Sequence, residues 1–188
     1  MFILMNFASA IDSSNWTTAN VGGETFKIPP QYANNPYKSD DSIYWLNGDN
    51  IYTFCVRLIN PNLMSLYGYD MEHSYYYKNV NVAGHDAIHF KSHDRFNKID
   101  YSTLWFCAGE QIYYIQWEGV NITPEIKEIV KSSSKSNYTH SEFMGMLNDE
   151  YQNYKIVNSI ESQRHDYPTK SKGFYSFGSN GWSVGRFY

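Results

Sequence analysis

Residues 101–119, YSTLWFCAGEQIYYIQWEG, leave a chain of this kind few ways to fold. Leu104, Trp105 and Phe106 precede Gly109-Glu110, and Ile112, Tyr113, Tyr114, Ile115 and Trp117 follow it. Successive side chains of a strand point to opposite faces, so a strand with one wet face alternates apolar with polar residues. These two arms do not alternate. A hairpin apolar on both faces must be covered on both, which predicts two strands near the centre of a sheet with layers above and below.

Further hairpins surround this one in the sequence. Gly22-Gly23 separates two short strand-like runs, the second stopped by Pro29-Pro30, and Ala83-Gly84 separates SYYYKNVNV from HDAIHF. Ile43–Leu46 and Ile51–Ile59 flank Asn47-Gly48-Asp49-Asn50, with the turn register open between Asn47-Gly48 and Gly48-Asp49. Asn180-Gly181 predicts a last hairpin, pairing Phe177 with Val184, Tyr175 with Arg186 and Phe174 with Phe187. ANNPYKSDD reads as a loop, and NPNLMSLYGYDMEH as a short helix or irregular crossover.

The period changes after residue 122. Thr123 is a suitable N-cap, Pro124 fits the first helical position, and Ile126, Ile129 and Val130 make one inward stripe. Thr139 and Glu142 form a capping box before Phe143, Met146 and Leu147. Farther on, YKIVNSIESQ alternates in a way that predicts a strand. The fold class expected is α+β: a mainly antiparallel sheet built from hairpins, with two short helices packed on it. One domain over residues 11–188 is expected, its core at 15–132 and a C-terminal helix and hairpin at 139–188.

The first ten residues, MFILMNFASA, are an apolar run ending in Ala8-Ser9-Ala10, the small-x-small pattern of a leader cleavage site; the mature chain would then begin at Ile11. A first strand is the alternative. No segment reaches the ~20 apolar residues of a membrane-spanning helix. Asn15-Trp16-Thr17, Asn121-Ile122-Thr123 and Asn137-Tyr138-Thr139 are glycosylation acceptors, relevant if the chain is exported. Cys55 and Cys107 permit one bridge, which would close a loop of about 50 residues and contribute roughly 3 to 4 kcal/mol; the alternative is two buried thiols. Lys and Arg total 15 against 19 Asp and Glu, a net charge of −4 that offers phosphate backbones no basic surplus. Nucleic acid is not an expected partner.

For chemistry, His85, His89 and His93 recur at steps of four. On a strand with Ile88 and Phe90 inward they would share the outer face with Lys91, their Cα atoms ~13 Å apart. Two imidazoles cannot then meet one zinc ion at ~2 Å. On a helix, His85 and His89 could, and a metal-dependent hydrolase using this segment is the alternative function. No nucleophile elbow surrounds Cys107 or the serines, and Asp40-Asp41 and Asp149-Glu150 look like solvated surface. No cofactor is expected. The 18 tyrosines, 11 phenylalanines and 5 tryptophans are the remaining lead. Trp45, Trp105 and Trp117 read as core; Tyr75, Tyr76, Tyr77, Tyr67, Tyr69 and Trp182 lie near loops or edges, where flat rings can stack on sugars or form a protein contact.

Taken in order, NWTTANVGGETFKIPPQY, VAGHDAIHF and LWFCAGEQIYYIQWEGVNITPEIKEIVKS resemble a group of small exported proteins of methanogenic archaea, over about residues 15–132. The resemblance implies export and brings no catalytic residues with it. The Phe26-Lys27-Ile28-Pro29 start and the strand-rich layout are also similar in architecture to PsbP/Mog1-like domains. The expectation is a secreted or cell-surface binding module that recognises glycan or protein through exposed aromatics.

Overall fold

The computed structural model describes residues 11–34, 36–46, 52–164, 173–178 and 181–186; for residues 46, 52 and everything from 160 onward it describes the backbone alone. Three hairpins turn where glycine permits positive φ. Gly22 and Gly23 (φ 58° and 87°), Ala83 and Gly84 (53° and 91°) and Gly109 (56°) lie between the closing pairs Val21↔Glu24, Val82↔His85 and Ala108↔Gln111. These turns fix the register of the strands they join.

The strands are β1 (Thr17–Val21), β2 (Glu24–Ile28), β3 (Tyr37–Ser39), β4 (Ser42–Leu46), β5 (Tyr52–Ile59), β6 (Tyr76–Val82), β7 (His85–Asp94), β8 (Ile99–Ala108), β9 (Gln111–Glu118), β10 (Gly173–Gly178) and β11 (Gly181–Arg186). Seven of them form an antiparallel sheet in the order β3-β4-β5-β9-β8-β7-β6, with β9 at its centre and β8 beside it. The apolar hairpin is thus where its two packed faces require it. Among the described residues β1 and β2 pair only with each other, as do β10 and β11.

Each face has its own core. On one, Val56, Leu104, Phe106, Tyr113, Ile115 and Trp117 meet Val21, Phe26 and Ile28 of the first hairpin and Ile126, Ile129 and Val130 of α2 (Pro124–Lys131). On the other, Ile59, Ile88, Phe90, Trp105 and Tyr114 meet Leu66 and Tyr67 of α1 (Ser65–His73) and Phe143 and Leu147 of α3 (His140–Arg164). Helices on an antiparallel sheet make this an α+β fold. Both predicted N-caps form: Thr123 Oγ1 accepts from Ile126 N–H at 3.4 Å, and the Thr139 N–H donates to Glu142 Oε2 at 2.8 Å. Trp45, Trp105 and Trp117 are all buried.

Four expectations are corrected. Residues 154–163 are not a strand: α3 runs on to Arg164. Ile156 and Val157 are exposed on it, and β-branched residues cost an already nucleated helix only tenths of a kcal/mol each. The residues read as a loop before β4 contain β3, paired from Tyr37↔Tyr44 to Ser39↔Ser42. The last hairpin closes on Gly178↔Gly181 and pairs Phe177 with Trp182 and Tyr175 with Val184, because Gly181 belongs to the closing pair of strand residues and not to the turn. The predicted turn over 47–50 lies outside the described residues.

The fourth correction concerns the cysteines, which are free and buried. Cys55 on β5 lies opposite Gln116 of β9, and Cys107 on β8 opposite Ile112 of the same strand. A whole strand and four residues of register separate them, roughly 10 Å by 13 Å in sheet spacings, where a bridge needs Cα atoms within about 7 Å. Burial pushes the two thiols up to about 11 and about 12, so neither is a thiolate at neutral pH. The native protein is therefore expected to react negligibly with a thiol reagent and the urea-unfolded protein to give two equivalents; a bridge would give none in either state.

Candidate functional site

β6 is a sheet edge, and three consecutive exposed aromatic residues stand at its head. Tyr75, Tyr76 and Tyr77 are 60%, 39% and 55% exposed. Alternation along the strand sends Tyr76 and Tyr77 to opposite faces of the sheet. Tyr77 leans on buried Phe90, ring centroids 5.8 Å apart, and Phe90 in turn meets Tyr67 edge-on at 5.8 Å. On the opposite face Lys91 Nζ lies 4.7 Å from the Tyr76 ring centroid, and His89 meets that ring at 6.3 Å. The Tyr75 N–H donates to the Lys91 carbonyl at 3.1 Å. These rings are anchored on one side and wet on the other, which lowers the entropy lost when a ligand covers them.

Tyr67, grouped with them on sequence, is buried under α1, while Tyr69 is partly exposed and stacked on His73 at 4.0 Å. Trp182 belongs to β11, and its side chain lies outside the described residues. Asn15, Asn121 and Asn137 are all exposed, so each acceptor is open to a modifying enzyme.

The strand over 85–94 is as predicted, but His85 and His89 are not on an outer surface. Both faces of β7 are covered, and the two rings are 3% and 5% exposed. His85 Nδ1 donates to the Cys107 carbonyl at 2.9 Å, and the ring meets Phe106 edge-on. His89 stacks on Trp117 at 5.5 Å; its Nε2 has no hydrogen-bond partner among the described residues, and burial, aided by the Lys91 charge, lowers its pKa to about 4. His93 alone is solvated, 2.7 Å from Asp100 Oδ1. Each imidazole has a separate environment. Among the described residues no group of three or more His, Cys, Asp or Glu side chains stands close enough to hold a metal ion.

Two clefts open beside these elements. One of about 590 Å³ is lined by Gly22, Gly23, Ser39, Asp40, Asp41 and Leu58. There the Asp40 and Asp41 carbonyls accept from Gly22 N–H (2.6 Å) and Leu58 N–H (2.8 Å), a structural use of that paired-carboxylate segment. The other, about 140 Å³, has Asp86, Cys107, Lys135, Ser136 and Thr139 on its walls, with His140 Nδ1 3.5 Å from Asp86 Oδ2. The Cys107 thiol there is held protonated by its burial, so it makes a weak nucleophile.

The sequence reading passed over Asp70. It sits on α1 facing the sheet, 4% exposed, and its Oδ2 accepts from Thr103 Oγ1 at 2.9 Å and Trp105 Nε1 at 2.8 Å. Burial raises its carboxyl to about 6, and the two hydrogen bonds pull it back only in part. The available signal was an acidic residue within the apolar face of a short helix, LYGYDM, where only a hydrogen-bonded carboxylate is tolerated.

No family model and no curated protein matches this chain. A crystal structure of a chain from Bacteroides thetaiotaomicron VPI-5482 is similar over 60% of this chain, at 12% identity and a TM-score of 0.39. The similarity spans 45% of that chain, less than half of its length.

Proposed function

We propose that this protein is a secreted or cell-surface binding module that recognises glycan or protein through the tyrosines at the head of β6, without itself catalysing a reaction. The observation that carries this reading is the run Tyr75, Tyr76, Tyr77, exposed on a sheet edge yet held from behind by Phe90, Lys91 and His89. Rings fixed in this way present flat contact area at low entropic cost, the usual makeup of a recognition surface. The small-x-small segment Ala8-Ser9-Ala10, the three exposed Asn acceptors and the resemblance to small exported archaeal proteins support the location.

The test compares the natural chain with Tyr75→Ala/Tyr77→Ala on a glycan array and in pulldowns against cell-surface extracts. A ligand whose affinity falls at least tenfold in the double variant is the expected result, since truncating one contact ring costs about 1 kcal/mol or more. Binding indifferent to the two tyrosines overturns the assignment, and so does a hydrolytic activity abolished by His89→Ala.

A further inference from the structure

The two edges of the seven-stranded sheet differ in how they are protected. β3 is three residues long, and the chain just after it is tied down by Gly22 and Leu58 through the Asp40 and Asp41 carbonyls. β6 is seven residues long, holds one unbroken register from Tyr76↔Lys91 to Val82↔His85, and contains no proline. Among the described residues its outer rim makes no backbone hydrogen bond to another strand. Exposed edges are ordinarily blunted by shortness, bulges, proline or charge, because their free N–H and C=O groups are a template for another strand. Of these devices β6 has only a charge, Lys78.

That charge selects among occupants. Lys78 is exposed, lies opposite His89, and shares its face with Lys91, which lies opposite Tyr76 two positions along. Neither ammonium has a carboxylate partner among the described residues. Asp86, the carboxylate farther up the same hairpin, is opposite Asn81 and is already engaged by Asn81 Nδ2 at 3.3 Å and His140 Nδ1 at 3.5 Å. A second copy of β6, added antiparallel about a two-fold axis at Lys78, would bring that lysine against its own counterpart, and about one at the central Asn79 would leave the two lysines diagonal neighbours on one face; like charges facing each other across strands destabilise the pairing. A carboxylate in that place is attracted instead. On the opposite face the exposed Tyr77 ring, backed by buried Phe90, offers an apolar seat for alternate residues of an incoming strand.

We propose that β6 docks an extended acidic segment of a partner protein as an eighth strand, its carboxylates toward Lys78 and Lys91 and its apolar residues toward Tyr77. This rests on the binding-module reading and names its partner class. Backbone pairing supplies the affinity, and the two lysines supply the preference.

The probes are two fluorescein-labelled heptapeptides, Thr-Glu-Val-Glu-Val-Glu-Thr and Thr-Lys-Val-Lys-Val-Lys-Thr, titrated into the full chain by anisotropy with amide hydrogen exchange read on β6. The acidic peptide is expected to bind about tenfold more tightly than the basic one at low salt and to slow exchange along β6. Lys78→Glu, a substitution at an exposed site, is expected to shrink or reverse that preference. Equal binding of the two peptides, or binding by neither, overturns the inference. Glycan binding lost in Tyr75→Ala/Tyr77→Ala, with both peptides silent, overturns the strand assignment and leaves the module standing. A β6-dependent dimer overturns the acidic partner. Silence toward peptides and glycans alike, with no Tyr75/Tyr77-dependent partner in the pulldowns, overturns both readings.

Discussion

Asp70→Asn is expected to gain stability relative to the natural chain as pH rises from 4 to 6, and to hold that gain above pH 6. Burial pushes the folded-state carboxyl up to about 6 from its ordinary 3.8, so between these values the folded chain binds more protons than the unfolded one. Stability from this group is complete below about pH 4 and is lost as pH rises through 6. A shift of about two units corresponds to roughly 3 kcal/mol. The asparagine carbonyl can still accept from Thr103 and Trp105, which removes the charge and keeps the contacts. Urea unfolding at pH 4, 5, 6 and 7 should show the gap between variant and natural chain widening at up to about 1.4 kcal/mol per pH unit, then levelling. Parallel curves would refute the argument. Asp70→Ala should instead lose about 2 to 4 kcal/mol near pH 4, where the natural carboxyl is neutral, because it strands a hydroxyl and an indole N–H in the core.

His89 acts in the opposite sense over much of the same interval. Its folded-state value is lowered to about 4 from 6.5, so the unfolded chain takes up the proton first and stability is lost as pH falls from about 6.5 toward 4. One group faces α1 and the other the opposite layer, yet their slopes oppose. The natural chain should therefore vary little with pH across this window through these two residues, and Asp70→Asn should expose the acid loss contributed by His89.

What the sequence revealed of this fold was mostly local. The Gly22-Gly23, Ala83-Gly84 and Gly109-Glu110 turns, Pro124 at a helix start and the Thr139/Glu142 box act within a few residues, and each formed as predicted. The doubly apolar 101–119 hairpin also located itself, since burial on both faces leaves a strand only the middle of a sheet. Apart from the local register shift of β10 against β11, the failures turn on which elements lie beside one another. Cys55 and Cys107 looked bridgeable until β9 came between their strands, and His85 and His89 looked solvated until a second layer covered β7. Residues 154–163 carry a strand-like alternation that the helix overrides by packing Tyr151 and Tyr154 toward α1. At the candidate site, Tyr75–Tyr77 could be read as exposed, but that β6 is the long open edge depends on strand order.

Gly68 is where that packing should prove most sensitive. In an exposed helix, replacing glycine by alanine stabilises by about 0.8 to 1 kcal/mol. Here a Cβ on Gly68 would fall onto the root of the Tyr154 side chain, against Cγ, 2.5 Å from Cδ1 and 2.6 Å from Cβ. A ring root fixed on a helix cannot swing aside as a flexible end would, so α1 and α3 must separate. Overpacking of this sort costs about 1 to 3 kcal/mol and should reverse the sign of the substitution. Gly68→Ala is expected to destabilise the natural chain, whereas in a Tyr154→Ala background the same change should be neutral or stabilising. That coupling, read from a double-mutant cycle of urea midpoints, distinguishes a steric seat from a propensity effect. Stabilisation of both backgrounds would show that the helices do not meet there. Because Asp70 is only two residues along α1, loosening this seat should also admit water to the carboxyl and draw its titration back from about 6 toward the ordinary range, which carboxyl NMR of Gly68→Ala would detect.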